Sequence, residues 1–232
     1  MPTKKSPKRF MRSESRPMSK VEGFRQHHFE DVEQQHEASW LGMWVFLATE
    51  VMFFGGMFAC YFVYRHWYLP AFAEASNHLD VLLGGINTAV LICSSFTMAL
   101  AVHSAETNKR NALIIFLVLT IVLGTVFLGI KFFEYHSKFE EHLVPGSAFA
   151  FPGPFERQAE IFFSFYFAMT GMHAVHMLIG IGLLTALIFQ ARRGRFSMFY
   201  HTPVELTGLY WHFVDIVWIF LFPLLYLLGR HV

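Results

Sequence analysis

Three histidines and two carboxylic acids stand where an apolar chain can least tolerate them. His173 and His176 are three residues apart, His212 and Asp215 repeat that spacing, and Glu50 lies alone; all five sit near the middle of long hydrophobic runs. A spacing of three puts both members of a pair on one helical face. Asn87, Ser94 and Ser95 add hydrogen-bonding groups at a comparable depth in another run. Such a set supports three chemistries. It can be a hydrogen-bonded lock between helices, since interhelical polar contacts hold membrane bundles together. It can relay or sense protons, because a carboxyl group and an imidazole can pass one between them. It can bind a metal, although a redox or hydrolytic site needs three or four ligands, and only three histidines lie in the apolar runs.

The elements that must position these groups follow from length and hydropathy. Five apolar stretches, near 40–64, 81–102, 112–133, 161–189 and 206–228, each have the roughly twenty residues that cross a bilayer as a helix. The fourth is long enough to require tilt or extension beyond the bilayer, and Pro223 inside the fifth predicts a kink. Polar groups at mid-bilayer depth must face the interior and satisfy one another, because lipid offers them no partner.

Composition agrees with an all-α membrane protein. Apolar residues make up 54% of the chain and charged residues 15%, against about a quarter charged in a soluble domain, and Phe alone occurs 28 times in 232 residues. The formal net charge of +1 argues against a nucleic-acid partner. Cys60 and Cys93 lie in apolar runs without CxxC spacing, which indicates neither a disulfide framework nor a thiolate site. The chain also lacks a Gly-rich phosphate loop, a nucleophile elbow and a haem-attachment CxxCH, so no catalytic centre is expected in it.

Residues 1–38 differ from the rest: eight Lys and Arg mixed with Pro and Ser, then an acidic, histidine-bearing stretch. A tail of this kind is expected to be disordered or ordered by a partner, and without an apolar core behind its basic residues it is not a signal peptide and stays on the mature chain. The tail, the loop with Lys109 and Arg110, and the loop with Arg192, Arg193 and Arg195 share thirteen positive charges on one side, against five on the other. The expected orientation is N-terminus cytoplasmic and C-terminus outside. Residues 134–160, with PGSAFAFPGP, read as a structured outer loop able to meet a partner.

Several smaller features have plain expectations. Gly55–Gly56, Gly84–Gly85, Gly124 and Gly129 look like points of close helix approach. Lys131 and Glu134 read as a snorkelling salt bridge near the outer end of the third helix, or as a lipid-headgroup site. Arg192, Arg193 and Arg195 are topology determinants that could also hold anionic lipid.

Five ordered motifs carry a resemblance. YWHFVDIVWIFLFPLLYLLG resembles the final-helix motif of subunit III of the haem–copper oxidases, and TGMHAVHMLIG is similar to that family's TGxHxxHxxxG pattern. INTAVLICSS, GTVFLGIKFFEY and WVFLATEVMFFGGMF resemble three further helices of the family, the last bearing its intramembrane glutamate at Glu50. Apolar departures occur: HAVHM for HGLHV, YLLG for YWWG, and Leu209 where the family has Trp. The resemblance implies the five-helix form, with helices in two groups around a phospholipid-holding cleft between the first two helices and the other three. It implies docking on the catalytic subunit I beside subunit II, with haem and copper in those partners and none in this chain. It also implies a role in sustained proton uptake, within a bacterial-type inner membrane. The electron donor is expected to be cytochrome c, with a quinol oxidase or a nitric-oxide-reductase-associated relative as alternatives. A basic tail and a long 134–160 loop beyond the compact family pattern suggest a further subunit or supercomplex neighbour. A small proton-coupled transporter and a histidine-box membrane oxygenase are the readings from other classes.

Overall fold

A computed structural model describes residues 32–196 and 200–227. The expectations for residues 1–31 and for the C-terminal residues beyond 227 fall outside it. The described chain is helical throughout its spans: α1 Val32–Trp67, α2 Leu69–Asn77, α3 Val81–Glu106, α4 Arg110–Glu140, α5 Glu156–Arg192 and α6 Thr202–Phe222, followed by one π turn, Pro223–Leu227. All but α2 are long and apolar enough to cross a membrane, α6 counted together with its π turn. The helix boundaries overrun the apolar runs because polar ends carry the helices past the hydrocarbon. Residues 32–38 of the expected tail already belong to α1, and α4 continues through Glu140, which shortens the expected 134–160 loop to 141–155.

Two compact units can be drawn, Met1–Leu41 and Gly42–Val232. In the first, the described residues form helix supported by short-range bonds, Ser39 Oγ to the Gln35 carbonyl at 2.8 Å and Trp40 Nε1 to His36 Nε2 at 3.0 Å.

In the second unit, α3, α4, α5 and α6 form a closed ring in which each helix packs closely against two others. A buried residue every three or four positions makes this possible on α3, where the small or polar Gly84, Asn87, Ser94 and Ala101 alternate with Leu91 and Met98. The centre of the ring is Trp211, fully buried, its indole edge lying where a Cβ on Gly124 or on Gly180 would come within 2.9 or 2.8 Å of it. Its Nε1 donates to Ser94 Oγ at 3.0 Å, so the one side chain joins α3, α4, α5 and α6. Gly84 serves similarly against Phe222 and Tyr226, whereas Gly55, Gly56 and Gly129 have no neighbouring atom within 4 Å of where a Cβ would stand. The expected close approach is therefore corrected for those three.

The segment of α1 within this unit meets the ring through long side chains rather than by backbone approach. Phe54 packs on His176 and Phe213, with ring centroids 5.4 and 6.4 Å apart, and Tyr61 donates to the Leu224 carbonyl at 3.0 Å. Only 11% of the apolar window of the first span is buried, against 56% for the last. The two helix groups are thus α1 and the ring of four; α3 belongs to the ring, not with α1 as the resemblance had it. Small residues on α3 permit contact along its length, while the glycines of α1 point away from any neighbour.

The connections are ordered. Asp80 caps α3 by accepting from the Leu82 and Leu83 amides at 2.9 and 3.1 Å, a helix-start bond that satisfies otherwise unpaired N–H groups. α2 packs on α5 and on the π turn, burying Phe72 against Tyr61 and Phe162. At the end of α4, Lys138 Nζ reaches the His78 carbonyl at 2.7 Å and Glu141 at 2.6 Å, and in the 141–155 loop the Gly146 amide donates to Glu160 at 3.1 Å.

Candidate functional site

The intramembrane polar groups fall into separate places rather than one layer. On α1, Glu50 Oε2 lies 3.1 Å from His176 Nε2 on α5. The other ring nitrogen of His176 is 2.9 Å from the Met172 carbonyl oxygen, which can only accept, so Nδ1 carries a hydrogen. A single proton therefore decides the state of the pair. Held on Glu50 it is donated to a neutral imidazole; held on Nε2 it makes an ion pair. Tyr210 fixes the strand of atoms behind the ring by donating to the His176 carbonyl at 2.9 Å, and its own ring stacks on the imidazole.

Ser95 on α3 and His212 on α6 form the second interhelical pair, Oγ to Nδ1 at 2.7 Å. Ser94, one position earlier, points inward and accepts from Trp211. These two contacts cross between helices. His173 and Asp215 make no such contact among the described residues, and Asn87 makes only a long one. His173 is fully enclosed between the Phe127 and Trp218 rings, centroids 5.4 and 5.2 Å away, and neither of its nitrogens has a hydrogen-bond partner among the described residues. Asn87 donates weakly to the Phe127 carbonyl at 3.4 Å and leaves its own oxygen unpaired. Asp215 is 3% exposed, and neither of its oxygens meets a hydrogen-bond donor among those residues.

Lys131 and Glu134 require a correction. They do not snorkel; they are 5% and 4% exposed and bonded at 2.8 Å inside the ring. Lys131 Nζ also donates to Tyr226 at 2.6 Å and lies 4.6 Å over the Trp218 ring, a cation–π contact. Tyr166 donates to Glu134 Oε1 at 3.0 Å and Tyr226 donates to the same oxygen. The Glu134 carboxylate thus has three donors and Lys131 is enclosed by aromatic faces, an arrangement that closes the site to headgroups. The sequence marked Lys131 and Glu134 but not Tyr166 or Tyr226. The available signal was Pro223, since the π turn it opens turns Tyr226 fully inward.

Arg192, Arg193 and Arg195 are exposed at the end of α5, where the Arg192 carbonyl accepts from Arg110. Among the described residues no group of three or more His, Cys, Asp or Glu is placed to hold a metal ion.

The fold and its polar contacts define a multi-pass, all-helical membrane protein whose ionisable groups sit between helices. The family model described as cytochrome c oxidase subunit III matches residues 11–230. The chain is 33% identical over 191 residues to cytochrome c oxidase subunit 3 of Thermostichus vulcanus, covering 82% of this chain and 87% of the relative. It is 34% identical over 189 residues to the Synechocystis protein of the same name, covering 81% and 74%. With quinol oxidase subunit 3 of Bacillus subtilis it shares 32% over 190 residues, covering 82% and 86%. The chain belongs to the cytochrome c oxidase subunit III family, the third subunit of the haem–copper oxidases.

Proposed function

We propose that this chain is the non-catalytic subunit III of a proton-pumping terminal oxidase that passes electrons from cytochrome c to oxygen, and that it steadies catalytic subunit I and helps sustain proton uptake. Relatives named for cytochrome c and for quinol are about equally similar, so a quinol oxidase is the second reading. The observation that supports the proton role is the Glu50–His176 contact, a carboxyl group 3.1 Å from an imidazole nitrogen across two helices. Haem and copper belong to the partner subunits, I and II. Phospholipid chains fit the apolar cavity of about 220 Å³ between α1 and α6, lined by Val51, Phe54, Phe58, Phe213 and Phe220 among others, and Arg192, Arg193 and Arg195 suit anionic headgroups. In this reading the N-terminus is cytoplasmic, and the tail and the 141–155 loop meet any further subunit or supercomplex neighbour.

Purification of the tagged chain from membranes, with mass analysis of what accompanies it, tests the assignment: a haem–copper subunit I is expected, and its absence would overturn it. Oxidation of reduced cytochrome c rather than quinol by that preparation decides the donor. Glu50→Gln keeps the size and one hydrogen bond to His176 but cannot release a proton. The variant complex is expected to assemble in full and to lose activity progressively during turnover; undiminished proton uptake over many turnovers would leave the pair a structural lock.

A further inference from the structure

The imidazole of His212 is paired on one side and open on the other. Its Nδ1 is 2.7 Å from Ser95 Oγ on α3, while its Nε2 has no hydrogen-bond partner among the described residues. Both residues line a cavity of about 390 Å³ between α3 and α6, whose other walls are apolar, Leu91, Phe96 and Ile219 among them. Asp215 borders the same cavity, but its two oxygens are enclosed. His212 Nε2 is not one of the enclosed unpaired atoms, so the imidazole edge is the polar contact that this wall offers. The rim is exposed at Phe96 and Ile216, and in a spanning helix an exposed rim opens onto lipid.

Depth limits what can answer that nitrogen. His212 stands ten residues from one end of the Thr202–Leu227 span and fifteen from the other, roughly 15 and 22 Å at about 1.5 Å per residue. Phospholipid headgroups lie near those ends, and the acyl chains between them carry no hydrogen-bonding atom. Bringing a charge to this depth costs far more than bringing an uncharged carbonyl that an N–H receives.

We propose that this cavity binds the ring of an isoprenoid quinone, with a ring oxygen on His212 Nε2 and the tail leaving past Phe96 and Ile216 into lipid. A quinone is apolar apart from its ring oxygens, which matches a wall that is apolar apart from one imidazole edge. The volume lies within the range of about 300–1,000 Å³ of small-molecule sites, which join mostly apolar walls to a few placed polar groups. The Ser95–His212 pair suits both redox forms. A neutral imidazole carries one N–H. When Ser95 donates to Nδ1, that hydrogen is on Nε2 and goes to a quinone carbonyl; when Nδ1 donates to Ser95, Nε2 accepts from a quinol hydroxyl. The site is built from this chain alone and holds for either electron donor, since it binds the quinone and transfers no electron.

The test uses the complex purified through a tag on this chain and illuminated with azido-quinones bearing one isoprene unit, one a benzoquinone and one a naphthoquinone. At least one probe is expected to label α3 or α6, and an excess of its parent quinone or quinol should remove the label. No label on either helix with either probe overturns the site. His212→Phe should lower the label about fivefold at half-saturating probe, the loss of one hydrogen bond. Ala99→Trp, at an exposed position of the cavity wall, should lower it at least as much by filling the space, and it decides if His212→Phe fails to accumulate. Label unchanged by Ala99→Trp, or removed equally by excess dioleoylphosphatidylglycerol, means that lipid chains fill the cavity and overturns the proposal. Absence of a catalytic subunit from the preparation would overturn the oxidase assignment instead, and labelling of this chain would still decide the site.

Discussion

Glu134 and Asp215 are both carboxylic acids under 5% exposed in spans of the same chain, yet their surroundings are opposite. Glu134 receives Lys131, Tyr166 and Tyr226; neither Asp215 oxygen has a hydrogen-bond partner among the described residues. The first is a closed internal brace joining α4, α5 and the π turn. The second is closed off without a partner of its own among the described residues. Burial alone therefore does not say whether an intramembrane acid braces its own fold; the donors around it do.

Removing one half of the closed pair should give the largest effect. Lys131→Met leaves Glu134 buried without its cation and is expected to cost about 3–5 kcal/mol, seen as a large fall in the thermal midpoint of the isolated chain in detergent. Lys131→Met with Glu134→Leu should recover most of that loss, since an apolar pair of similar volume replaces a buried ion pair at little cost; no recovery would mean that the tyrosines, not the ion pair, hold the brace.

Gly180→Ala comes next, about 1–3 kcal/mol, because its Cβ would stand 2.8 Å from Trp211 in a packed centre. Trp211→Phe in the same chain should cancel part of the cost, so a double-mutant cycle reads the clash directly. Asp215→Leu is expected to raise the stability of the isolated chain by about 1 kcal/mol, since an unsatisfied group disappears. A loss there as large as that of Lys131→Met would erase the contrast with Glu134. The smallest effect belongs to Gly55→Ala, within about 0.5 kcal/mol, because no neighbour approaches that position; differential scanning in one detergent compares all four.

Much of this molecule was legible before any coordinates. Five runs of apolar residues long enough for a bilayer can form only helices, because every backbone group in lipid must be satisfied within its own segment. The pairing of Glu50 with a histidine was legible in kind but not in partner, since spacing along a helix gives a face and not the helix that meets it. The glycines show the same division. Gly84, Gly124 and Gly55 are alike in sequence, and two of them receive an aromatic ring while the third receives nothing. The Lys131 site was misread as a surface pair because its position near the end of an apolar run suggested an interface; the π turn at Pro223 brings Tyr226 over it and closes it.

By itself the sequence determined that this is a five-span helical membrane protein of the oxidase subunit III family, with ionisable residues held at depth. Hydropathy and motif order are properties of the chain read in one dimension, and lipid enforces their meaning. Only the tertiary structure decided that α3 joins the ring and α1 stands against it, that Trp211 is the joint, and that Glu134 is answered while Asp215 is not. Those outcomes depend on which side chains from distant helices arrive within about 3 Å of one another, a distance that hydrogen bonding demands and that no spacing along the chain specifies.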